Sequence, residues 1–484
     1  MAAPLRIGGR ALADLLPDLH AMPGPVYDAL ASAISMLVLD GRVTTETRLP
    51  SERELAAALH LSRATVTAAY DSLRSSGFLA SRTGAGSFVT VPTSSQPRPS
   101  LPRWSTAVSQ AADVIDLSCA TVPAPPGVIA EAVAAAVPLL APHLRGDGYQ
   151  PAGLPALRAA VATRFTARGV PTRPDQILIT NGSLHGLDLL LRLVVGPGDR
   201  VVTELPSYPG ALDAIRANGG RIVPVPAAPG GGWQVGQLQA TLRQTNARLA
   251  YLIPDFHNPT GALVPEPDRQ AVLRTARQTA TTVVVDESFV DLGFRVGERA
   301  MAELDPTVIT VGSLSKPIWG GLRIGWLRAS TDLVHRLAAL RASIDMSGPV
   351  LDQLVAASLI ERIDEIAAVR IAELLPQRDA LIASLHTELP DWSVTVPQGG
   401  LSLWTQLPAP ASTPLSMLAG QAGVVLVPGS RFGVDGTLER FLRLPYALPA
   451  PRLVEAVRRI AGIWRQLEGS GTAGGLSTRQ LVVA

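Results

Sequence analysis

Apolar residues recur at helical spacing over Val26 to Leu39 (VYDALASAISMLVL) and Asp40-Gly41 closes the run, which predicts an amphipathic helix. A second helix opens at Ser51, where Ser51 and Glu54 read as a Ser-x-x-Glu capping box and Leu55 and Leu59 face inward. His60-Leu61 is the turn. Ser62 caps a third helix that gathers Val66, Ala69, Tyr70 and Leu73 on one face and leaves Arg63, Thr65 and Thr67 on the other. Gly77 stops it. Two short extended pieces, Phe78 to Ser81 and Ser87 to Val91, flank Arg82-Thr-Gly-Ala-Gly86 as a hairpin with a glycine-loosened tip.

The pattern then lapses and changes kind. Residues 92–115 begin with PTSSQPRPSLPRWS, rich in proline and serine and without amphipathic period, so they read as an extended, partly stiff linker. From 116 to 468, strand-like runs alternate with longer helical patterns: Gln176 to Thr180, Arg200 to Thr203, Arg221 to Val225, Leu249 to Ile253, Thr282 to Val285 and Thr307 to Val311. Such alternation predicts an α/β body with a mostly parallel central sheet and helices on both faces. Ligands in that architecture bind beyond the carboxyl ends of the strands. Residues 469–484 are Gly-, Ser- and Thr-rich and read as a flexible tail.

Composition narrows the class. Of the 484 residues 47% are apolar, ample for a sizeable core. The greasiest run, Val128 to Leu144, is rich in alanine and holds Glu131, Pro138, Pro142 and His143, so a helix with its exit turn is expected and not a membrane span. No charged region, apolar core and cleavage site open the chain, so no secretory route is expected. Cys119 is the only cysteine and no internal disulfide can form; a reducing cytoplasm is the expected home. A net charge of +2 announces no nucleic-acid binding by itself.

Lys316 is the only lysine in the chain, the other basic residues counted with it being arginines. A guanidinium keeps its proton at any working pH, so arginine cannot replace an amine that must attack a carbonyl. Lysine can do so once burial and neighbouring cations lower its pKa. Its setting, VGSLSKPIWGGLRIGWL, is a Gly- and Ser-rich segment after an apolar strand, a poor place for a decorative charge.

Two helices across a tight turn, followed by a hairpin, would put a helix into the DNA major groove and a wing beside it. Arg63 and Thr65 would then reach base edges, and Arg48, Arg53 and Arg82 would suit phosphates. A small helical domain for protein contacts stays open, since eight arginines balance eight acids over residues 1–91. The run LPSERELAAALHLSRATVTAAYDSLRSSGFLASRTGAGSFV resembles the winged helix-turn-helix of the GntR family. That resemblance implies double-stranded operator DNA as partner, contacted through Arg48, Ser51, Arg53, Ser62, Arg63, Thr65 and the wing glycines Gly84 and Gly86.

In the body, chemistry-bearing residues follow the strands one after another. Asn-Gly-Ser-Leu-His-Gly186 precedes a helix read as Leu187 to Val194; Gly182, Ser183 and Leu184 could present free N–H groups and a hydroxyl to a phosphate, or form a plain N-cap. Tyr208 follows the next strand and is a ring platform or ordinary packing. Asn258 lies in Pro-Asp-Phe-His-Asn-Pro-Thr-Gly261, Asp286 at a strand end where it could equally be a cap, and Ser313 and Arg323 flank Lys316. Together they describe one ligand: an aldehyde for Lys316, a phosphate for Gly182, Ser183, Ser313 and Arg323, a flat ring under Tyr208, a ring oxygen for Asn258 and a protonated ring nitrogen for Asp286. Pyridoxal phosphate fits; no metal is called for.

Residues 116 to 466, with YQPAGLPALR, HNPTG and SLSKPIWGGLRIGW, resemble fold-type I aminotransferases. The resemblance implies a Schiff base at Lys316, Tyr149 reaching the phosphate of a neighbouring subunit, and Arg443 in FLRLPYA gripping a substrate carboxylate, although Arg443 alone could be a surface ion-pair partner. One departure stands out: the family's tyrosine just beyond the ring-nitrogen aspartate is replaced by Ser288 and Phe289, which puts transamination efficiency in doubt.

A GntR-type reader over 1–91, a linker over 92–115 and an aminotransferase-like body over 116–468 make the chain similar to the MocR family of bacterial transcription regulators. The resemblance implies a homodimeric regulator that senses pyridoxal phosphate or an amine through Schiff-base chemistry at Lys316, with weak or no transaminase turnover. A working aminotransferase carrying a DNA-binding domain, and a DNA-binding protein with a cofactor-free scaffold, are the alternatives.

Overall fold

The computed structural model describes residues 5–19, 22, 24–82, 85–91, 113–434 and 436–469. Most of the expected linker and tail, and Gly84 of the expected wing, lie outside them.

Near the N-terminus come α1 (Gly9–Ala13), α2 (Val26–Leu39), α3 (Glu52–Leu59) and α4 (Arg63–Ser75), then the antiparallel hairpin of β1 (Leu79–Arg82) and β2 (Gly86–Val89). One core unites them, with Leu30, Ile34, Leu55, Val66, Tyr70, Leu73 and Val89 at its centre. The caps are where the sequence puts them: Ser51 Oγ accepts the Glu54 N–H at 3.2 Å and Ser62 Oγ accepts the Thr65 N–H at 3.1 Å. His60 makes the turn with a left-handed φ of 55°. The Glu54 carboxylate is put to another use beyond the cap, accepting the Gly9 N–H at 2.9 Å and pairing with Arg6, so it ties α1 to α3.

The body starts with β3 (Ile115–Asp116), α5 (Val128–Ala136), α6 (Pro155–Ala167), β4 (Ile177–Thr180), α7 (Ser183–Val194) and β5 (Arg200–Leu205). It continues through α8 (Pro209–Ala217), β6 (Arg221–Pro226), α9 (Val235–Thr245), β7 (Leu249–Leu252), α10 (Glu266–Gln278), β8 (Thr282–Asp286), α11 (Met301–Leu304), β9 (Ile309–Ser313) and β10 (Gly325–Arg328). These strands form one seven-stranded sheet in the order β4-β10-β9-β8-β7-β5-β6. All its pairings are parallel except those of β10, which runs antiparallel to both neighbours. With α12 (Thr331–Arg341) and α13 (Val350–Glu361), helices cover both faces: α6, α9, α10 and α13 pack in one core, α7, α8 and α12 in the other.

A second lobe follows: α14 (Ile363–Glu388), β11 (Ser393–Thr395), β12 (Ser402–Gln406), α15 (Ser412–Gln421), β13 (Val424–Val425), β14 (Val427–Pro428), β15 (Phe441–Pro445) and α16 (Ala450–Gly469). Its sheet is antiparallel in the order β11-β12-β15-β14, and β13 pairs in parallel with β3. Three points depart from the sequence reading. The antiparallel lobe and β10 were not anticipated, because β10 is hidden in the motif that follows Lys316. The helix after β4 starts at Ser183 and not at Leu187, with Gly186 inside it.

Among the described residues no helix is long and apolar enough to cross a membrane, and no cluster of His, Cys, Asp or Glu could hold a metal ion.

Candidate functional site

The expected ligand residues converge at the carboxyl ends of the parallel strands. At the end of β4, Gly182 has φ +91°, and a Cβ there would lie 3.1 Å from an Arg323 guanidinium nitrogen. Arg323 donates to the Asn181 carbonyl at 2.6 Å, and Gly325 comes so near Gly182 that its Cβ would sit 2.5 Å from the Gly182 carbonyl carbon. The first N–H groups of α7 have no partner within the helix and open toward Arg323, which is an anion cradle by construction. Ser183 adds a hydroxyl, bonded at 3.0 Å to Ser288 Oγ, while the Leu184 side chain is exposed. Ser313 is buried at the end of β9 and donates to Ser315 Oγ at 2.8 Å or to the Ile324 carbonyl at 3.1 Å.

Asp286 ends β8, buried, with both oxygens engaged. The Ser288 N–H donates to Oδ1 at 2.8 Å and the Tyr251 hydroxyl to Oδ2 at 2.7 Å. Asn258 is buried in the turn after β7, and that turn is clamped from beneath. Arg269, fully buried, pairs with Asp255 at 2.6 Å and donates to the Val264 carbonyl at 2.8 Å; the His257 Nδ1 lies 3.0 Å from Thr260 Oγ1. Glu204 joins in, accepting the Ile253 N–H at 2.9 Å and the Trp233 indole N–H.

The Lys316 amine donates to the Ala120 carbonyl at 2.9 Å and lies 5.7 Å from the centre of the Phe289 ring. Burial, and then the Arg443 charge, push its pKa down to about 8, with Arg323 adding a smaller effect in the same sense and Asp286 opposing. Arg443, on β15, is buried too; its pKa falls to about 10 mainly by burial. Its fork donates to the Ser118 carbonyl, and its Nε is buried with no partner among the described residues. A buried, half-satisfied guanidinium favours an incoming anion. Tyr208, half-buried, feels Asp286, Arg443 and Arg323, and burial raises its phenol pKa.

Of the expected residues, Gly182, Ser183, Tyr208, Asn258, Asp286, Ser313, Lys316 and Arg323 thus lie at or just beyond the strand ends of the large sheet, and Arg443, on β15 of the second lobe, acts electrostatically on Lys316 and Tyr208. Tyr149 is 53% exposed, and its side chain makes no bond among the described residues. Sequence reasoning missed Tyr251, the Arg269 clamp and the strap Ser118-Cys119-Ala120. A tyrosine inside an apolar strand looks like core, and carbonyls that cover Lys316 and Arg443 leave no mark on a sequence.

On the N-terminal unit, Arg48, Ser51, Arg53, Ser62 and Arg63 are exposed. The Thr65 hydroxyl lies 2.8 Å from Ser62 Oγ, and Thr67, expected to be available, donates instead to Glu52 at 2.9 Å. Arg82 is paired with Glu46 at 2.6 Å and stacked 4.5 Å over Phe88. Gly86 has φ +106°, and a Cβ there would meet Arg48 Nε at 2.8 Å.

Residues 112–460 match the family described as aminotransferase class I and II, and residues 26–89 the gntR family of bacterial regulatory proteins. A 2-aminoadipate transaminase of Thermus thermophilus is 33% identical over 335 residues, 67% of this chain and 80% of that protein. The probable rhizopine catabolism regulatory protein MocR of Rhizobium meliloti is 28% identical over 477 residues, 92% of this chain and 95% of that protein. The crystal structure of LysN, an alpha-aminoadipate aminotransferase of Thermus thermophilus complexed with N-(5'-phosphopyridoxyl)-L-leucine, superposes with a TM-score of 0.67 at 30% identity, covering 74% of this chain and 94% of that one.

Proposed function

The chain belongs to the aminotransferase class I and II family, joined to a gntR-type unit at its N-terminus, and from that pairing we propose a cytoplasmic, DNA-binding transcription regulator that holds pyridoxal phosphate and responds to it or to an amine. The observation that carries this reading is Lys316: the one lysine of the chain, its amine bonded to the Ala120 carbonyl at 2.9 Å and brought to a pKa of about 8 by burial and by the charge of the half-satisfied Arg443.

The residues present fit the cofactor. Gly182 leaves a cradle that any side chain would fill, and the donors around it, the N–H groups of α7, Ser183 and Arg323, are those a phosphate wants. Asp286 would hold the ring nitrogen, Asn258 the ring oxygen, Tyr208 the ring face and Tyr149 the phosphate of a second subunit. When bound, pyridoxal phosphate supplies an aldehyde for amines and a ring that withdraws electrons.

Within this site Lys316 gives up its proton to become the nucleophile, and the low-dielectric surroundings and Arg443 favour that loss. Arg443 would exchange the Ser118 carbonyl for the carboxylate of an incoming amine. Tyr251 keeps Asp286 oriented, and the Arg269–Asp255 pair keeps the Asn258 turn from shifting. Ser288 and Phe289 stand where the family has its tyrosine, and Ser288 donates to Ser183, so the ring oxygen would lack a phenol donor from this segment. That supports sensing over rapid transamination.

A homodimer suits the surface. Val133, Val137, Leu139, Leu144 and Tyr149 lie 37–72% exposed on one stretch, an apolar patch that a second copy would cover. The test of the function is footprinting on the protein's own upstream DNA, with and without pyridoxal phosphate and candidate amines; a footprint that none of them alters contradicts it. Rapid turnover of an amino acid with an oxo-acid, undiminished on removal of residues 1–91, would favour the working aminotransferase instead.

A further inference from the structure

The last turn of α2 lies against the body. Leu438 donates its backbone N–H to the Leu39 carbonyl, and Arg440 stands 3.7 Å from Asp40. Gly41 lies against the same residues, where a Cβ would come 2.9 Å from Leu205 Cδ2 and 3.1 Å from Leu438 Cδ2, and its φ of +72° is one that favours glycine. Beside it Glu46 and Arg221 pair at 3.6 Å.

Two features make this contact easy to open. Leu438 has φ +71°, a left-handed conformation that a bulky side chain holds only while its surroundings impose it. Asp40 Oδ1 is buried with no partner among the described residues, and burial outweighs the pull of Arg440 and Arg42 so that the carboxyl is pushed up to about 6. An unsatisfied buried oxygen weakens the contact that buries it.

The body's side of the contact is also the underside of Arg443. Leu205, Leu438, Phe432 and Trp404 form one small apolar cluster. The Arg443 guanidinium carbon lies 4.9 Å from the centre of the Phe432 ring, and the Trp404 ring meets Phe432 edge-on at 5.5 Å. The Phe432 carbonyl accepts the Ser207 N–H at 2.9 Å, one residue before Tyr208. Closely packed side chains of this kind shift together, because the interior has no slack to absorb a displacement.

We infer that the surface of Leu205, Leu438 and Arg440 is the body's docking site for the DNA reader, and that a carboxylate taken up by Arg443 opens it through Phe432 and Leu438. This rests on the reading that Arg443 receives the carboxylate of an amine effector. On exchanging the Ser118 carbonyl for a charged acceptor, the guanidinium moves on its Phe432 platform, Leu438 relaxes out of the left-handed region, and its bond to Leu39 is lost. Ligand and reader are then linked by a two-state contact, as coupling between distant sites requires.

The test uses the full chain loaded with pyridoxal phosphate, with L-alanine and L-glutamate as probes, in the native protein and in Leu438→Gly and Asp40→Asn. Hydrogen exchange at the Leu438 amide, visible absorption and affinity for the upstream DNA are followed together. In the native protein a probe that shifts the absorption should speed exchange at Leu438 and change DNA affinity about tenfold, an ordinary size for coupled sites. In both variants the absorption shift should persist, while the probe-free DNA affinity moves toward that of the probe-bound native protein and the remaining effect of the probe on DNA falls below about twofold. Exchange at Leu438 that stays unchanged while the probe binds, or variants that keep the full response, overturns the relay and leaves the cofactor reading intact. If neither probe shifts the absorption the relay is overturned as well, and a pyridoxyl label on Lys316 then decides whether the cofactor reading falls with it.

Discussion

Tyr251 donates its hydroxyl to Asp286 Oδ2 at 2.7 Å from the neighbouring strand, and both side chains are buried. Burial and the Asp286 charge hold the phenol well above its ordinary range, so it remains a donor at every working pH. Tyr251→Phe leaves a buried carboxylate oxygen without its partner, which costs about 1–3 kcal/mol. Urea denaturation should show a loss of that size, with weaker retention of pyridoxal phosphate. An unchanged midpoint would mean that Asp286 does not depend on this bond.

The rate at which the cofactor-free chain takes up pyridoxal phosphate should rise with pH and level off above about 8, since the free amine is the nucleophile and Lys316 loses its proton there. Arg443→Gln removes a cation that favours the neutral amine and should move the midpoint upward. A native midpoint at the ordinary lysine value of 10.5 would contradict the environment described for Lys316.

Ser288→Ala deletes the bond to Ser183 at 3.0 Å. A neutral hydrogen bond is worth about 0.5–1.5 kcal/mol net. Fluorescence titration should therefore show pyridoxal phosphate binding weakened by about two- to twelvefold. Tighter binding would indicate that Ser288 competes with the phosphate for Ser183 instead of orienting it.

Arg63, with its side chain 73% exposed at the start of α4, should matter only to DNA. Arg63→Ala is expected to weaken operator binding by about 1–3 kcal/mol with no change in the absorption of the bound cofactor. Glu46→Gln releases Arg82 from its 2.6 Å pair and should tighten binding, most clearly at low salt. Equal losses on operator and unrelated DNA for Arg63→Ala would assign it to phosphates and not to bases.

What the sequence disclosed was local. The caps at Ser51 and Ser62 and the turn at His60 depend on neighbours a few residues apart, and the parallel strands announce themselves as apolar runs. The convergence of Gly182, Asp286, Lys316 and Arg323 was legible because each follows a strand of one sheet. Contacts made across the chain were not. Arg443 meets the Ser118 carbonyl, Lys316 the Ala120 carbonyl and Leu438 the Leu39 carbonyl, and a backbone acceptor has the same identity at every position. The antiparallel lobe escaped for a related reason: β11, β13 and β14 are three residues or fewer, too short to show a period.

The most direct measurement is borohydride reduction of the full chain with pyridoxal phosphate, followed by peptide mapping. The expected result is a single pyridoxyl adduct, on Lys316, absent in Lys316→Ala. A protein that yields no adduct on Lys316, or retains its visible absorption in Lys316→Ala, would contradict the assignment of this cleft as a cofactor site.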